Sequence, residues 1–108
     1  MCGIAGYFNI ASTPEKSMHC LEKMIWPLRH RGPDGFGFFQ DASTGLAHAR
    51  LSIIDLEGGW QPLCNEDRSV WVSFNGENFN YIVLRDLRIG LGHQFRTDSD
   101  TVVLVQLY

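Results

Sequence analysis

A thiol, a guanidinium and two carboxylates stand in this chain where a purely structural explanation is weakest. Cys2 directly follows the initial methionine, Arg50 ends the apolar stretch LAHAR, and Asn75-Gly76-Glu77 follows the apolar stretch VWVSF. Asp100 stands at the head of the last predicted element. A thiol suits attack on a carbonyl carbon, and a guanidinium at the rim of a core can bind a carboxylate through two parallel hydrogen bonds.

The remaining groups complete a set. The side-chain amide of Asn75 and the backbone N–H of Gly76 are two convergent donors of the kind that stabilises an oxyanion. Glu77 and Asp100 suit an ammonium group. A free α-amino acid with an electrophilic side-chain carbonyl would use every one of these groups, and glutamine has that constitution.

Each of these residues also has a structural interpretation. Cys2 could be a small apolar residue at the front of a strand, and Arg50 could be a strand-end charge that reaches solvent. Asn75-Gly76 commonly forms a hairpin turn, and Ser99-Asp100 could cap a helix. The segment HRGPDG at 30–35 is dense in turn formers and predicts a tight structural turn.

The other cysteines and the histidines are not expected to take part in the chemistry. Three cysteines without a close pair indicate neither zinc nor a disulfide framework, so Cys20 and Cys64 are interpreted as packed or half-exposed free thiols. The histidines show no catalytic arrangement and are interpreted as structural or exposed; they are His19, His30, His48 and His93.

Composition narrows the class of protein. With 108 residues, 44% of them hydrophobic, the chain can form one domain with a modest core. A net charge of −3 gives no electrostatic reason to expect nucleic acid or an anionic membrane as a partner. No signal peptide is visible, and no apolar run approaches the roughly 20 residues that span a bilayer, so we expect a cytoplasmic protein.

Periodicity predicts the elements that position the polar residues. A first strand is predicted at 4–9, and a helix enters through Ser12-Thr13-Pro14 and ends or kinks at Pro27. Its apolar residues recur at helical spacing, at Met18, Leu21, Ile25 and Leu28. Strands are predicted at 35–40, 46–50 and 70–74, with an irregular stretch around Gly58-Gly59 and Pro62.

The last third of the chain is less regular. Tyr81, Leu84 and Leu87 predict a helix that ends near Gly90 and Gly92. The tail TVVLVQLY reads as a strand from its β-branched residues or as a helix capped at 99–100. The chain stops inside this element, which predicts a truncated domain. Paired strands with helices between them favour an α+β layered fold with mainly antiparallel sheets.

Six segments taken together resemble the glutamine amidotransferase domain of asparagine synthetases, an N-terminal nucleophile hydrolase. They are CGIAG at 2–6, HRGPDG at 30–35, AHARLSIIDL at 47–56, QPL at 61–63, FNGE at 74–77 and SDT at 99–101. The resemblance implies a four-layer αββα sandwich with a helical tail. Because the family's domain is nearly twice as long, residues 1–108 would be its N-terminal part and the sandwich would be incomplete.

The resemblance also implies a role for each residue. Met1 is removed, and Cys2 becomes a nucleophile whose own α-amine serves as the base, so that no histidine is required. Arg50 would bind the substrate carboxylate, and Glu77 and Asp100 would bind the α-ammonium. Backbone groups of Ile53 and Ile54 would line the pocket. The Asn75 side chain and the Gly76 N–H would stabilise the oxyanion.

The implied activity is hydrolysis of L-glutamine, which supplies ammonia for ATP-dependent asparagine synthesis from aspartate in the full-length enzyme. ATP and Mg²⁺ are expected only in a C-terminal synthetase domain, and no metal or cofactor is expected in this chain. Two alternatives stay open: an amidotransferase that serves another acceptor, as in polysaccharide synthesis, or an inactive truncated fold with a binding or structural role. The acceptor and the oligomeric state are undetermined, and a homodimer is one candidate.

Four residues depart from the family pattern. Asn78 and Phe79 stand where the family commonly has an apolar residue and a tyrosine, and Val102 replaces a glutamate. Phe36 stands where polar residues are usual, so we expect an exposed aromatic ring near the HRGPDG loop. None of these changes removes a residue with an implied catalytic role, but they bear on the detail of the pocket.

Overall fold

The computed structural model describes residues 2–51, 60–76, 86–87 and 89–92. Within these ranges the chain combines helices with two antiparallel sheets, so the predicted α+β class is confirmed. In chain order the elements are β1 (Gly3–Tyr7), α1 (Pro14–Ile25), a 3-10 helix (Trp26–Leu28), β2 (Gly35–Gln40), β3 (Gly45–Arg50), β4 (Leu63–Cys64) and β5 (Trp71–Val72).

Strand β3 is the centre of a three-stranded sheet, with β1 on one side and β2 on the other. Gly3 pairs with Ala49 and Gly35 pairs with Arg50, so the first residues of β1 and β2 meet the end of β3. Because side chains alternate between the faces of a strand, β3 presents its two alanines to one face and His48 and Arg50 to the other.

Helix α1 covers the alanine face. The hydroxyl of Thr13 accepts a hydrogen bond from the Lys16 N–H at 3.3 Å and caps the helix, as the entry signal predicted. Leu21 and Ile25 are buried against the alanines of β3, whose small side chains let the helix approach closely. This contact is the core of the described part of the chain, and it lies on the face of the sheet opposite to His48 and Arg50.

The second sheet, formed by β4 and β5, packs on the other face. Trp71 of β5 stacks on Phe39 of β2, with the ring centres 4.2 Å apart. A side chain at Gly37 would collide with the carbonyl oxygen of Gln61, so glycine at this position lets the stretch before β4 lie directly on β2.

The predicted strands are confirmed with shifted bounds. Strand β1 ends two residues earlier than predicted, and Asn9 beyond it has a φ of 60°, which extended backbone does not adopt. Of the predicted strand at 70–74, only Trp71–Val72 is paired, with Leu63–Cys64 of the stretch predicted as irregular. Strands of two residues are too short to carry a period-two signal.

Only part of the segment predicted as a helix from Tyr81 to Gly90 lies within the described residues. The backbone is helical at 86–87 and 89–90, and Gly92 follows with a φ of 93° while its N–H donates to the carbonyl of Ile89 at 2.9 Å. This helix end agrees with the prediction. The two interpretations of the tail lie outside the described residues. Within the described ranges, no helix has the length and apolar character to cross a membrane.

Candidate functional site

The thiol of Cys2 is held where β1 begins. Cys2 is half-buried and precedes the first pair of the β1–β3 ladder by one residue. Its sulfur accepts a hydrogen bond from the N–H of Leu51 at 3.2 Å and lies 3.5 Å from the carbonyl oxygen of the same residue. The alternation along β1 directs the thiol to the face that carries His48 and Arg50.

Arg50 is buried, with 4% of its surface exposed. Its guanidinium carbon lies 4.5 Å from the centre of the Trp60 ring, in the geometry of a cation–π contact. The interpretation of Arg50 as a strand-end charge that reaches solvent is therefore wrong. A buried guanidinium held against an aromatic ring is suited to binding a planar carboxylate through two hydrogen bonds.

The HRGPDG segment is a tight structural turn, as predicted, and it packs on the end of β3. The N–H of Asp34 donates to the carbonyl of Arg50 at 2.9 Å, and a side chain at Gly32 would collide with the carbonyl of Ala49. Gly35 has a φ of 142°, and a side chain there would meet the ring of Trp60. The loop therefore fixes the backbone of Arg50 and leaves room for the indole above it.

The residues suited to an oxyanion follow a segment that is attached to the sheet. Ser73 Oγ lies 2.8 Å from Nδ1 of His48, and the N–H of Phe74 donates to Oε1 of Gln61 at 2.6 Å. Asn75 and Gly76 come next, half-buried and exposed respectively. The bond to His48 ties the segment before Asn75 to the face of the sheet that the Cys2 thiol shares, and the bond to Gln61 ties it to the stretch before β4.

His48 lies beneath this segment and is 1% exposed. Its Nε2 atom has no hydrogen-bond partner among the described residues. Burial and, to a lesser degree, the positive charge of Arg50 lower the pKa of His48 from 6.5 to about 4, so the ring is neutral at pH 7. His19 and His30 are exposed, and His93 lies outside the described residues.

The structure places the Cys2 thiol against Leu51, the residue after Arg50, and ties the segment before Asn75-Gly76 to β3, the strand that ends in Arg50. The other predicted site residues, Ile53, Ile54, Glu77 and Asp100, lie outside the described residues. The same holds for three of the departures from the family pattern, at positions 78, 79 and 102.

Phe36 is not the exposed ring that was expected. It is half-buried against the core on the α1 side, and its ring centre lies 6.0 Å from that of Trp26. The reason is its register: Phe36 pairs with Ala49, whose side chain faces the helix. This departure therefore lies on the opposite side of the sheet from Cys2.

The remaining cysteines agree with the prediction. Cys64 is buried and Cys20 is exposed, and neither is part of a disulfide. Among the residues that the structure describes, no three His, Cys, Asp or Glu side chains come together as a metal site.

Sequence reasoning missed the partners that hold the site residues: Leu51, Trp60, Gln61 and Ser73. The role of His48, which bonds to Ser73, was missed as well, although one signal was available for it. The alternation in AHAR places His48 on the same face as Arg50. The positions of Trp60 and Gln61 depend on how β4 and β5 pack on the first sheet, and no local pattern carries that information.

Comparison with known proteins identifies the family of this chain. The whole chain, residues 1–108, matches the family model for the glutamine amidotransferase domain. The chain belongs to this family of glutamine amidotransferase domains.

Three similar proteins are all glutamine-hydrolysing asparagine synthetases. The chain is 46% identical to glutamine-hydrolysing asparagine synthetase 1 of Bacillus subtilis (strain 168), 43% identical to synthetase 2 of the same organism, and 42% identical to the glutamine-hydrolysing asparagine synthetase of Brassica oleracea. All of this chain is covered in each comparison, but only 17%, 14% and 18% of the respective relative. The chain thus spans less than a fifth of the length of these relatives.

Proposed function

We propose that the chain is the N-terminal part of a glutaminase domain that hydrolyses L-glutamine with Cys2 as an N-terminal nucleophile. In the full-length enzyme, the released ammonia serves ATP-dependent synthesis of asparagine from aspartate in a C-terminal synthetase domain, where ATP and Mg²⁺ act. The observation that carries the proposal is the position of the Cys2 thiol beside the end of β3, the strand that ends in a buried Arg50.

Removal of Met1 leaves the amine and the thiol of Cys2 on one residue. The amine accepts the thiol proton, through a water molecule, and the sulfur then attacks the side-chain carbonyl carbon of glutamine. The C–N bond breaks, ammonia leaves with a proton returned by the amine, and a γ-glutamyl thioester remains. Water hydrolyses the thioester, which releases glutamate and restores the thiol.

The remaining groups act on the substrate. Arg50 binds its carboxylate, which is supported by the burial of the guanidinium and its contact with Trp60. The Asn75 side chain and the Gly76 N–H stabilise the oxyanion, which is supported by the hydrogen bonds that tie the preceding residues to the sheet. Glu77 and Asp100 take the α-ammonium, and backbone groups of Ile53 and Ile54 line the pocket.

The fold that we infer for the whole domain is the four-layer αββα sandwich. Helix α1, the three-stranded sheet and the β4–β5 sheet already lie in the order helix, sheet, sheet, and this supports the proposal. In such a sandwich the site lies between the two sheets, on the face of β3 that carries Arg50.

The test replaces Cys2 in the full-length protein. Cys2→Ala should abolish glutamine-dependent synthesis of asparagine and keep synthesis from ammonium salts. Cys20→Ala is the matched control, because this thiol is exposed on α1, and it should keep both activities. Loss of both activities in Cys2→Ala would show a structural role instead, and retention of Met1 in the intact mass of active protein would contradict the mechanism.

A further inference from the structure

His48 is a buried titratable residue that the proposed reaction does not use. Only 1% of its surface is exposed, and its Nδ1 atom lies 2.8 Å from the hydroxyl oxygen of Ser73. His48 belongs to the central strand, whereas Ser73 follows β5, so this hydrogen bond joins the two sheets. Because His48 is buried, water competes little for its ring, and the contact favours one geometry.

The hydrogen bond lies close in sequence to the proposed oxyanion donors. Ser73 is two residues before Asn75, and the N–H of Phe74 between them is held by the Gln61 side chain at 2.6 Å. The backbone carbonyl of Gln61 lies directly over Gly37, the residue that pairs with His48 across the ladder. Ser73 is therefore bonded to the central strand, and Phe74 to the stretch that lies on β2, immediately before the dipeptide that carries the proposed oxyanion donors.

We propose that His48 is a positioning residue for glutamine hydrolysis, which through its hydrogen bond to Ser73 fixes the backbone that carries Asn75 and Gly76. This inference rests on the proposed function, because it assigns these two residues to the oxyanion. Catalysis by preorganised donors depends on their placement, and a displacement of about 1 Å can cost a hundredfold in rate. The role needs a neutral ring that stays in place, and burial beside Arg50 disfavours the protonated form.

The test compares variants of the full-length protein that remove or keep the hydrogen bond. His48→Leu and Ser73→Ala remove it, whereas His48→Asn keeps an amide near the position of Nδ1. We expect kcat for glutamine hydrolysis to fall about ten- to hundredfold in the first two variants. We expect KM for glutamine to change by less than about threefold, and His48→Asn to recover most of the lost kcat.

A double variant shows whether the two residues act as a pair. If the hydrogen bond carries the effect, His48→Leu combined with Ser73→Ala should have a kcat close to that of the worse single variant. Multiplicative losses would overturn the proposal, because they would mean that the residues act separately. An increase confined to KM would overturn it as well, because His48 would then act through Arg50.

The reactivity of Cys2 separates a loss of positioning at Asn75-Gly76 from general damage to the site. Alkylation of Cys2 by iodoacetamide, followed by mass spectrometry of the N-terminal peptide, should proceed at the wild-type rate in every variant. A slower reaction would place the effect at the nucleophile and overturn the proposal. His19→Gln, at an exposed histidine on α1, is the matched control and should behave as wild type in all assays.

Hydrogen exchange tests the attachment of the segment without reference to activity. Peptides that cover residues 70–76 should exchange several-fold faster in His48→Leu and Ser73→Ala than in wild type or His48→Asn. Unchanged exchange would overturn the proposal, and so would faster exchange with undiminished kcat. A wild-type protein that did not hydrolyse glutamine would refute the proposed function itself, and the exchange rates would still decide whether His48 holds this segment.

Discussion

The guanidinium carbon of Arg50 lies 4.5 Å from the centre of the Trp60 ring, and Arg50 retains only 4% of its exposure. The ring occupies space that exists because residue 35 is a glycine. A side chain as long as arginine has many rotamers, and the indole removes most of them before a substrate arrives. Trp60 therefore restricts the guanidinium to one orientation, in which we propose that it binds the substrate carboxylate.

Replacing Trp60 should weaken glutamine binding. A partly desolvated cation–π contact contributes about 0.5–2 kcal/mol, so Trp60→Leu should raise KM about two- to thirtyfold with a smaller change in kcat. Trp60→Phe should recover part of this effect. Trp26→Leu is the matched control. The guanidinium carbon of Arg29 lies 4.6 Å from the centre of the Trp26 ring in the same kind of contact, away from Cys2. An unchanged KM in Trp60→Leu would mean that Arg50 needs no support from the ring.

Replacing Asn75 tests the oxyanion site directly. Asn75→Ala removes one of two proposed donors and should lower kcat for glutamine hydrolysis on the order of a hundredfold, or about 3 kcal/mol. Asn65→Ala removes an amide from the turn between β4 and β5, where it bonds to Ser69 and Val70. This control should cost stability and leave kcat near wild type. Equal kcat values in the two variants would argue against the assigned role.

The buried histidine makes stability depend on pH. Its pKa is about 4 in the folded chain and near 6.5 in the unfolded chain, so between these values the unfolded state binds more protons and stability falls as pH falls. His48 should account for about 2 kcal/mol of the loss between pH 7 and pH 5. Urea unfolding of His48→Leu should show a correspondingly weaker pH dependence, whereas His19→Gln should match wild type.

The contact between α1 and β3 should dominate the stability of this part of the fold. Leu21→Ala removes a fully buried side chain and should lower the free energy of unfolding by about 2–5 kcal/mol. Leu91→Ala makes the same change at a side chain that is 65% exposed and should cost less than about 0.5 kcal/mol. Urea unfolding measures both, and similar losses in the two variants would contradict this description of the core.

A methyl group at Gly37 should disturb the contact between the two sheets. Gly37→Ala would push on the carbonyl of Gln61 and should destabilise the protein by about 1–3 kcal/mol. It should also lower glutamine hydrolysis, because Gln61 holds the N–H of Phe74. Gly90→Ala is the control, because nothing lies near its new methyl group and its backbone is helical. It should be neutral or stabilising by up to about 1 kcal/mol.

The faces of the central strand could be predicted from the sequence, because a period of two in AHAR is a local pattern. The burial of Arg50 could not, since an arginine at the end of a strand reaches solvent unless distant residues cover it. Trp60 does so from a position ten residues further along the chain. The exposure expected of Phe36 was wrong for a related reason: its register with Ala49 is a property of strand pairing and not of its own neighbours.

Strand β3 serves the core with one face and the proposed site with the other, over six residues. A point substitution changes one face at a time. Insertion or deletion of a single residue would rotate every later side chain to the opposite face, and would bring His48 or Arg50 against Leu21 while an alanine took the place beside Cys2. Lineages of this domain should therefore tolerate changes of length in the turn at 41–44, and lose folding and activity together when length changes inside the strand.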